Sequence, residues 1–168
     1  MKRKHKRYDR PKKAYDSVRI KSEDKLVIKY GLKNKKEIWK AEARVKYFRN
    51  RAKGLITAQK DIQKTFFDKL NEIGLGVNSI SDVLALGKED ILKRRLATVV
   101  FSRGLATTPK QARQMIVHKK IWINKMAVNI PSYLVKVSEE KNIELKVKRK
   151  VKKEKPKDEN VEDGVSNE

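Results

Sequence analysis

A row of polar side chains recurs every fourth residue between positions 110 and 118. The row contains Lys110, Gln114 and His118, and Gln111 and Arg113 stand beside it. Residues four apart lie on one face of a helix, so the spacing predicts a polar helical face. Basic side chains bind phosphates, and amides bind phosphates, 2′-hydroxyls or base edges. The row therefore predicts an RNA-binding surface, although His118 could instead cap the end of the helix.

Polar and aromatic residues after that helix extend the same chemistry. Lys119 and Lys120 lengthen the cationic surface, and Asn124 and Ser132 add hydrogen-bonding groups. Tyr133 has two interpretations, since it can stack on a nucleotide or pack beneath the structure that follows the helix.

Arginines elsewhere complete the candidate set. Arg94 and Arg95 adjoin apolar residues, so one of the two is expected to be structural. Arginines at positions 44, 49 and 51 lie on polar faces of a predicted long helix, where simple solvation is the alternative. The predicted RNA-binding residues are Arg44, Arg49, Arg51, Arg94, Arg95, Arg103, Thr108, Lys110, Gln111, Arg113, Gln114, His118, Lys119, Lys120, Asn124, Ser132 and Tyr133.

The net charge points to a polyanionic partner. The chain has 168 residues and a formal charge of +23, from 44 Lys and Arg residues against 21 Asp and Glu residues. A compact protein with this charge repels itself unless a polyanion neutralises it. Nucleic acid is favoured, because each phosphate contact releases condensed counterions. An anionic membrane surface and a merely basic soluble surface are the alternatives.

Composition argues against metal, membrane-spanning and catalytic roles. The chain has no cysteine and only two distant histidines, His5 and His118, so we expect no metal centre and no cofactor. No apolar run approaches the roughly 20 residues that span a bilayer, and the charged N-terminus lacks an apolar signal core. We therefore expect an intracellular protein. The absence of a glycine-rich phosphate loop, paired catalytic carboxylates and a cysteine nucleophile indicates that it is not an enzyme.

The N-terminal half is predicted to be helical. Apolar residues recur at three- and four-residue steps from Ile38 to Leu55, as on one face of a long amphipathic helix. Asn34 stands three residues before Glu37, a spacing typical of a capping box. Shorter helices are predicted over residues 22–30, 62–73 and 81–86.

The region from residue 88 to residue 137 is predicted to form a compact α+β unit. One helix contains apolar residues 92, 96, 99 and 100 and ends near Gly104, and a second begins at Thr108–Pro109. Two short β-like runs around Asn124–Lys125 predict a hairpin, and residues 131–137 a further extended segment. The fold class is therefore α+β, with a helical N-terminal module and a small unit of two helices and a β-hairpin.

Both ends of the chain are predicted to be flexible arms. Residues 1–13 and 146–157 are strongly basic, and residues 158–168 turn acidic, with too few apolar residues to pack. The first tract also fits a nuclear-localisation signal. The predicted organisation is a basic arm (1–21), a helical module (22–92), an RNA-binding domain (93–140) and a charged tail (141–168).

Residues 94–135 carry a series of motifs that resembles the S-four RNA-binding domain. In order they are RRL, Gly-Leu-Ala, T-P-x-Q-A-R-Q, I-V-H, I-x-I-N and P-S-Y. The flanking segments 29–55 and 82–106 are similar to the family of small-subunit ribosomal protein S-four, in its archaeal and eukaryotic branch. Zinc-binding cysteines found in some bacterial relatives are absent.

The resemblance implies a structural constituent of the small ribosomal subunit. Members of that family bind the 5′ domain of small-subunit rRNA, join assembly early and support decoding accuracy. The implied partners are small-subunit rRNA, neighbouring small-subunit proteins, and mRNA at the channel through which it enters.

Three other functions stay open on the residues alone. The first is an rRNA-biogenesis paralogue in the small-subunit processome, which shares the same domain. The second is an RNA-modifying enzyme, since pseudouridine synthases carry the domain as well. The third is a DNA-compacting protein, which would explain the charge but not the organised unit.

Overall fold

The structure, a computed structural model, describes residues 8–146. Residues 1–7, which include His5, and the predicted tail beyond residue 146 lie outside the described residues. The elements are α1 (Ser17–Tyr30), α2 (Lys35–Gly54), α3 (Lys60–Glu72), α4 (Ile80–Ala85), α5 (Lys88–Lys93), α6 (Leu96–Ser102), α7 (Pro109–Val117), β1 (Ile121–Ile123), β2 (Met126–Ala127), α8 (Val137–Glu140) and β3 (Ile143–Leu145). Short strands beside these helices confirm the α+β class. Within the described residues, no helix is long and apolar enough to cross a membrane.

Helix α1 begins five residues before the predicted start. The Asp16 side chain caps it by accepting hydrogen bonds from the backbone of Val18 and Arg19. Arg19 also donates to the carbonyls of Lys13 and Ala14. These contacts hold the preceding segment against the helix, and they explain why part of the predicted N-terminal arm is ordered.

A buried polar network joins α1 to α2. Glu23, only 3% exposed, accepts hydrogen bonds from the guanidinium of Arg19 at 2.9 Å and the indole Nε1 of Trp39 at 3.0 Å. The Tyr8 ring lies against Trp39, with 6.2 Å between ring centroids. Tyr8 therefore covers the contact between α1 and α2.

Helices α1 to α5 enclose the first of two apolar cores. Ile38, Leu70, Val83 and Leu92 are fully or almost fully buried in this core. In α2 the buried residues Ile38, Ala41 and Val45 are three and four residues apart, and this spacing explains why that helix could be predicted. We call residues 8–93 the N-terminal module.

The helix predicted across residues 92–100 is two helices, which corrects that prediction. The chain between α5 and α6 is extended at Arg95 (φ −73°, ψ 142°), and Arg95 forms a bridge with Leu134. Leu134 itself packs against the N-terminal core. The break therefore marks the point where the chain leaves the first core and enters the second.

Helices α6 and α7 pack on a three-stranded antiparallel sheet of order β2-β1-β3 and form the second core. The predicted hairpin is present, and its turn residues Asn124 and Lys125 have positive φ (49° and 64°), as a two-residue turn requires. Strand β3 was not predicted, because its residues were assigned to the charged tail. It pairs with β1 in the register Ile121↔Leu145. We call residues 94–146 the C-terminal module.

The extended segment predicted over residues 131–137 forms no strand. Its only ladder contact among the described residues is the single bridge at Leu134. Val137 instead begins the short helix α8, which the Glu139 side chain caps by accepting from the backbone N–H of Lys136. This segment contacts the N-terminal module through Leu134, which packs against the first core, and through the ion pair of Lys136 with Glu72.

Candidate nucleic-acid interface

Helix α7 presents the predicted polar row to solvent. Lys110, Gln111, Gln114 and His118 are all exposed. The Thr108 hydroxyl caps the helix by accepting from the backbone of Gln111 at 3.1 Å. The Gln111 side chain reaches back and accepts from the N–H of Thr107 at 2.8 Å. Thr108 and Gln111 therefore fix the start of α7, while the other three side chains of the row lack hydrogen-bond partners among residues 8–146.

Arg113 does not share that solvent face. Its guanidinium donates to both carboxylate oxygens of Glu37, at 2.8 and 3.1 Å. Glu37 also accepts from Arg95 at 2.5 Å. One carboxylate of the N-terminal module thus binds two arginines of the C-terminal module, and we call these three residues the Glu37 clamp.

The Glu37 clamp is largely removed from water. The side chains of Glu37, Arg95 and Arg113 are 18%, 6% and 23% exposed. Burial raises the pKa of Glu37, but hydrogen bonds from Arg113 and Arg95 outweigh it and hold the pKa below its usual value. The carboxylate therefore stays charged, and the clamp gives Arg95 and Arg113 a structural role between the modules.

Arg94 forms a second link between the modules. Its Nε donates to the carbonyl of Ile73 at 2.7 Å, and its Nη2 donates to the carbonyl of Val135 and to Glu140. Sequence predicted that one of Arg94 and Arg95 is structural, and the geometry gives both arginines partners within the protein.

A groove lies between α2 and the segment that carries Ser132, and we call it the inter-module groove. It has a volume of about 970 Å³. Helix α2 contributes Lys40, Arg44, Lys46, Tyr47 and Asn50, and the clamp residues lie beside them. The groove therefore brings together Arg44, Arg95, Arg113 and Ser132, four predicted site residues that are distant in sequence.

Two other predicted arginines of α2 have contacts within the N-terminal module. Arg49 donates to the carbonyl of Leu86 at 2.6 Å. Arg51 donates to the Tyr47 hydroxyl at 3.3 Å, and its guanidinium lies over the Phe66 ring, 5.7 Å from the centroid. Both side chains stay partly accessible, so these contacts orient them without burying them.

The remaining predicted residues differ in whether their side chains are accessible to RNA. Tyr133 packs on the C-terminal core and donates to Glu139 at 2.9 Å, and burial together with that carboxylate raises the pKa of its hydroxyl. The side-chain oxygen of Asn124 accepts from Asn142 at 2.8 Å, which ties the hairpin turn to the loop before β3. Asn124 is nevertheless exposed, as are Arg103, Lys119, Lys120 and Ser132.

Sequence reasoning missed four residues of this surface. Lys40, Tyr47 and Asn50 line the groove beside Arg44, and Glu37 holds the clamp. The spacing of Lys40, Arg44 and Tyr47 at helical intervals was a usable signal, because it places them along one side of α2. Glu37 gave no such signal, since its partners lie 58 and 76 residues away.

No group of three or more histidine, cysteine or acidic residues within positions 8–146 could hold a metal ion.

The depressed pKa of Glu37 predicts an acid-sensitive contribution to stability. A carboxyl group whose folded pKa is lowered stabilises the fold above its unfolded pKa and loses that contribution as pH falls through the folded value. We expect Glu37→Gln to be less stable than the wild type at about pH 7, and the difference to shrink at about pH 3. Urea midpoints of both proteins at the two pH values test this. Asp82 and Glu89 also have lowered pKa values and make both proteins acid-sensitive. The measured quantity is therefore the difference in urea midpoint between the two proteins at each pH. A difference independent of pH would contradict the prediction.

Comparisons with known proteins match both modules. The family model of the S4 domain matches residues 94–141. A small ribosomal subunit protein uS4 of Methanococcus aeolicus is 49% identical over 142 residues, which cover 80% of each chain. The uS4 protein of Methanosphaera stadtmanae is 44% identical over 85% of this chain and 82% of its own. That of Haloquadratum walsbyi is 43% identical over 80% and 82%. The aligned length exceeds the S4 domain by far, and the chain belongs to the uS4 family of small ribosomal subunit proteins.

Proposed function

We propose that this protein is a structural constituent of the small ribosomal subunit that binds the 5′ domain of small-subunit rRNA. The observation that carries the proposal is the exposed row of Lys110, Gln114 and His118 on a capped helix of the S4 domain. Lys119 and Lys120 continue the cationic surface directly after the row. The relatives are named as small ribosomal subunit proteins, which supports the same role.

Binding to a 5′-domain rRNA fragment tests the proposal. The purified protein is titrated with this fragment, with an unrelated structured RNA and with duplex DNA over a salt series. We expect all affinities to fall as salt rises, because phosphate contacts release counterions. A preference for the rRNA fragment should persist at high salt, since contacts to shape and base edges depend less on salt. An equal loss of affinity for all three nucleic acids as salt rises would contradict the proposal.

Two lysines of the interface should each contribute one phosphate contact. We expect Lys110→Ala and Lys119→Ala each to reduce the slope of log affinity against log salt by about 0.7–0.9. Filter binding at several salt concentrations measures the slope. Lys25→Ala is the matched control, since Lys25 is also exposed but lies on α1 outside the proposed interface. An unchanged slope for both interface variants would remove this face from the RNA contact. Arg113→Ala is unsuitable for this test, because it also breaks the Glu37 clamp.

The proposed role extends to assembly, decoding and partners. We propose that the protein joins the small subunit early in assembly, contacts neighbouring small-subunit proteins and lies near the mRNA. We also propose that it is not an enzyme and that it functions in the cytoplasm. We propose that the exposed residues Arg49 and Arg51 of α2 bind rRNA, as α7 does, and this supports early binding, since one protein then fixes two parts of a folded RNA. Reconstitution with and without the protein tests early binding, through the order in which other proteins join. Misreading in a translation assay tests the decoding role.

A further inference from the structure

The inter-module groove has the size of a small-ligand site. Its volume of about 970 Å³ lies within the range of roughly 300–1,000 Å³ typical of pockets that enclose small molecules. An RNA duplex is far too wide to enter such a space, whereas a single nucleotide fits. The groove is thus suited to one unstacked residue of an RNA chain.

The charge of the groove favours an anion. Five cationic side chains and two carboxylates line it. Glu37 is already paired with Arg95 and Arg113, so Lys40 and Lys46 remain beside the single carboxylate of Asp9. The Lys46–Asp9 contact is long, at 3.8 Å, and highly exposed, so it neutralises little. A phosphate is therefore attracted to the α2 side of the groove.

Tyr47 supplies an aromatic surface next to these cations. Tyr47 is 57% exposed, although an aromatic ring gains free energy by burial. The hydrogen bond from Arg51 to its hydroxyl orients the ring. An accessible aromatic ring beside cations is the common arrangement for stacking an unpaired base, because every base offers a π-face.

Two polar side chains complete the groove. Asn50 and Ser132 line it from opposite modules, and neither side chain has a hydrogen-bond partner among residues 8–146. An amide both donates and accepts, so Asn50 can pair with a base edge, and a hydroxyl can bind a base or a 2′-hydroxyl.

We propose that the inter-module groove binds one unpaired nucleotide of the rRNA, with its base on Tyr47 and its phosphate at Lys40. This inference rests on the proposed rRNA-binding function and adds the kind of RNA feature that the protein recognises. The site requires both modules, so the Glu37 clamp shapes it.

A hairpin RNA with one bulged 2-aminopurine tests the inference on the full chain. We expect the wild type to bind it about ten-fold more tightly than the same hairpin without the bulge, and to quench the fluorescence by stacking. Tyr47→Ser should lose the preference and the quenching, whereas Tyr47→Phe keeps the ring and should retain both. Tyr15→Ser is the matched control, because Tyr15 is 95% exposed and lies outside the groove.

Equal binding of the two hairpins, or retained preference in Tyr47→Ser, would overturn the inference. Free adenosine monophosphate should not compete at millimolar concentration, and competition there would identify a nucleotide-ligand site instead. The two proposals fail separately. Loss of the bulge preference with a preserved preference for the 5′-domain fragment would reject only the groove. Loss of the fragment preference alone would reject the rRNA function.

Discussion

Replacing Glu37 by alanine is expected to lower the free energy of unfolding by about 3 kcal/mol. The substitution leaves two guanidinium groups near one another without their shared counterion. Arg95 cannot escape to water, because its side chain is only 6% exposed, so its charge stays desolvated. Removal of one partner from a buried ion pair costs far more than an intact pair contributes, and that asymmetry produces the large effect. Urea denaturation at neutral pH measures the change.

Glu42→Ala is the control for this substitution. Glu42 lies on the same helix, is exposed and has no ion pair within residues 8–146, so we expect a change within about 0.5 kcal/mol. A loss of similar size in both variants would show that helix α2 responds to any lost carboxylate. A loss below about 1 kcal/mol in Glu37→Ala would mean that Arg95 finds water or another partner.

The elements that sequence predicted well are those whose signals are local. Helix α2 follows from the apolar spacing between Ile38 and Ala52, and α7 from the Thr108 cap and Pro109. The hairpin follows from Asn124 and Lys125, which both adopt the left-handed conformation that its short turn needs. In each case neighbouring residues carry the whole signal.

The features that sequence missed depend on distant partners. Strand β3 is three residues long and becomes recognisable only through its pairing with β1. The break at Arg95 was hidden because apolar residues 92, 96, 99 and 100 keep helical spacing across it. Leu134, almost forty residues later, supplies the bridge that makes the chain extended there.

The candidate site shows the same division. Lys110, Gln114 and His118 were placed correctly on an exposed face, because helical spacing alone determines that arrangement. Arg113 was grouped with them, yet it turns toward Glu37 in the other module. The residue type and the spacing of Arg113 could not reveal this, because the packing of the two modules decides whether its side chain faces solvent or a buried carboxylate.

The contact of α1 with α7 gives the second large prediction. Gly31 ends α1 in the left-handed conformation (φ +58°), and the N–H groups of Gly31 and Leu32 donate to Ile28 and Val27. A Cβ at this position would lie 2.7 Å from the backbone carbonyl carbon of Pro109, at the start of α7. Backbone atoms on both sides cannot move independently, so we expect Gly31→Ala to cost about 3 kcal/mol.

Gly76→Ala separates backbone strain from the contact between modules. Gly76 has nearly the same φ, +61°, but a Cβ there would meet nothing within 4 Å. It should therefore show only the strain, about 1 kcal/mol, and the difference of about 2 kcal/mol reports the clash with α7. Because α7 carries the proposed RNA-binding row, Gly31→Ala should also weaken binding of the rRNA fragment, whereas Gly76→Ala should not. Equal destabilisation by the two substitutions would mean that α7 shifts away at little cost. The orientation of the S4 domain would then depend on the Glu37 clamp and Arg94, and not on this close backbone contact.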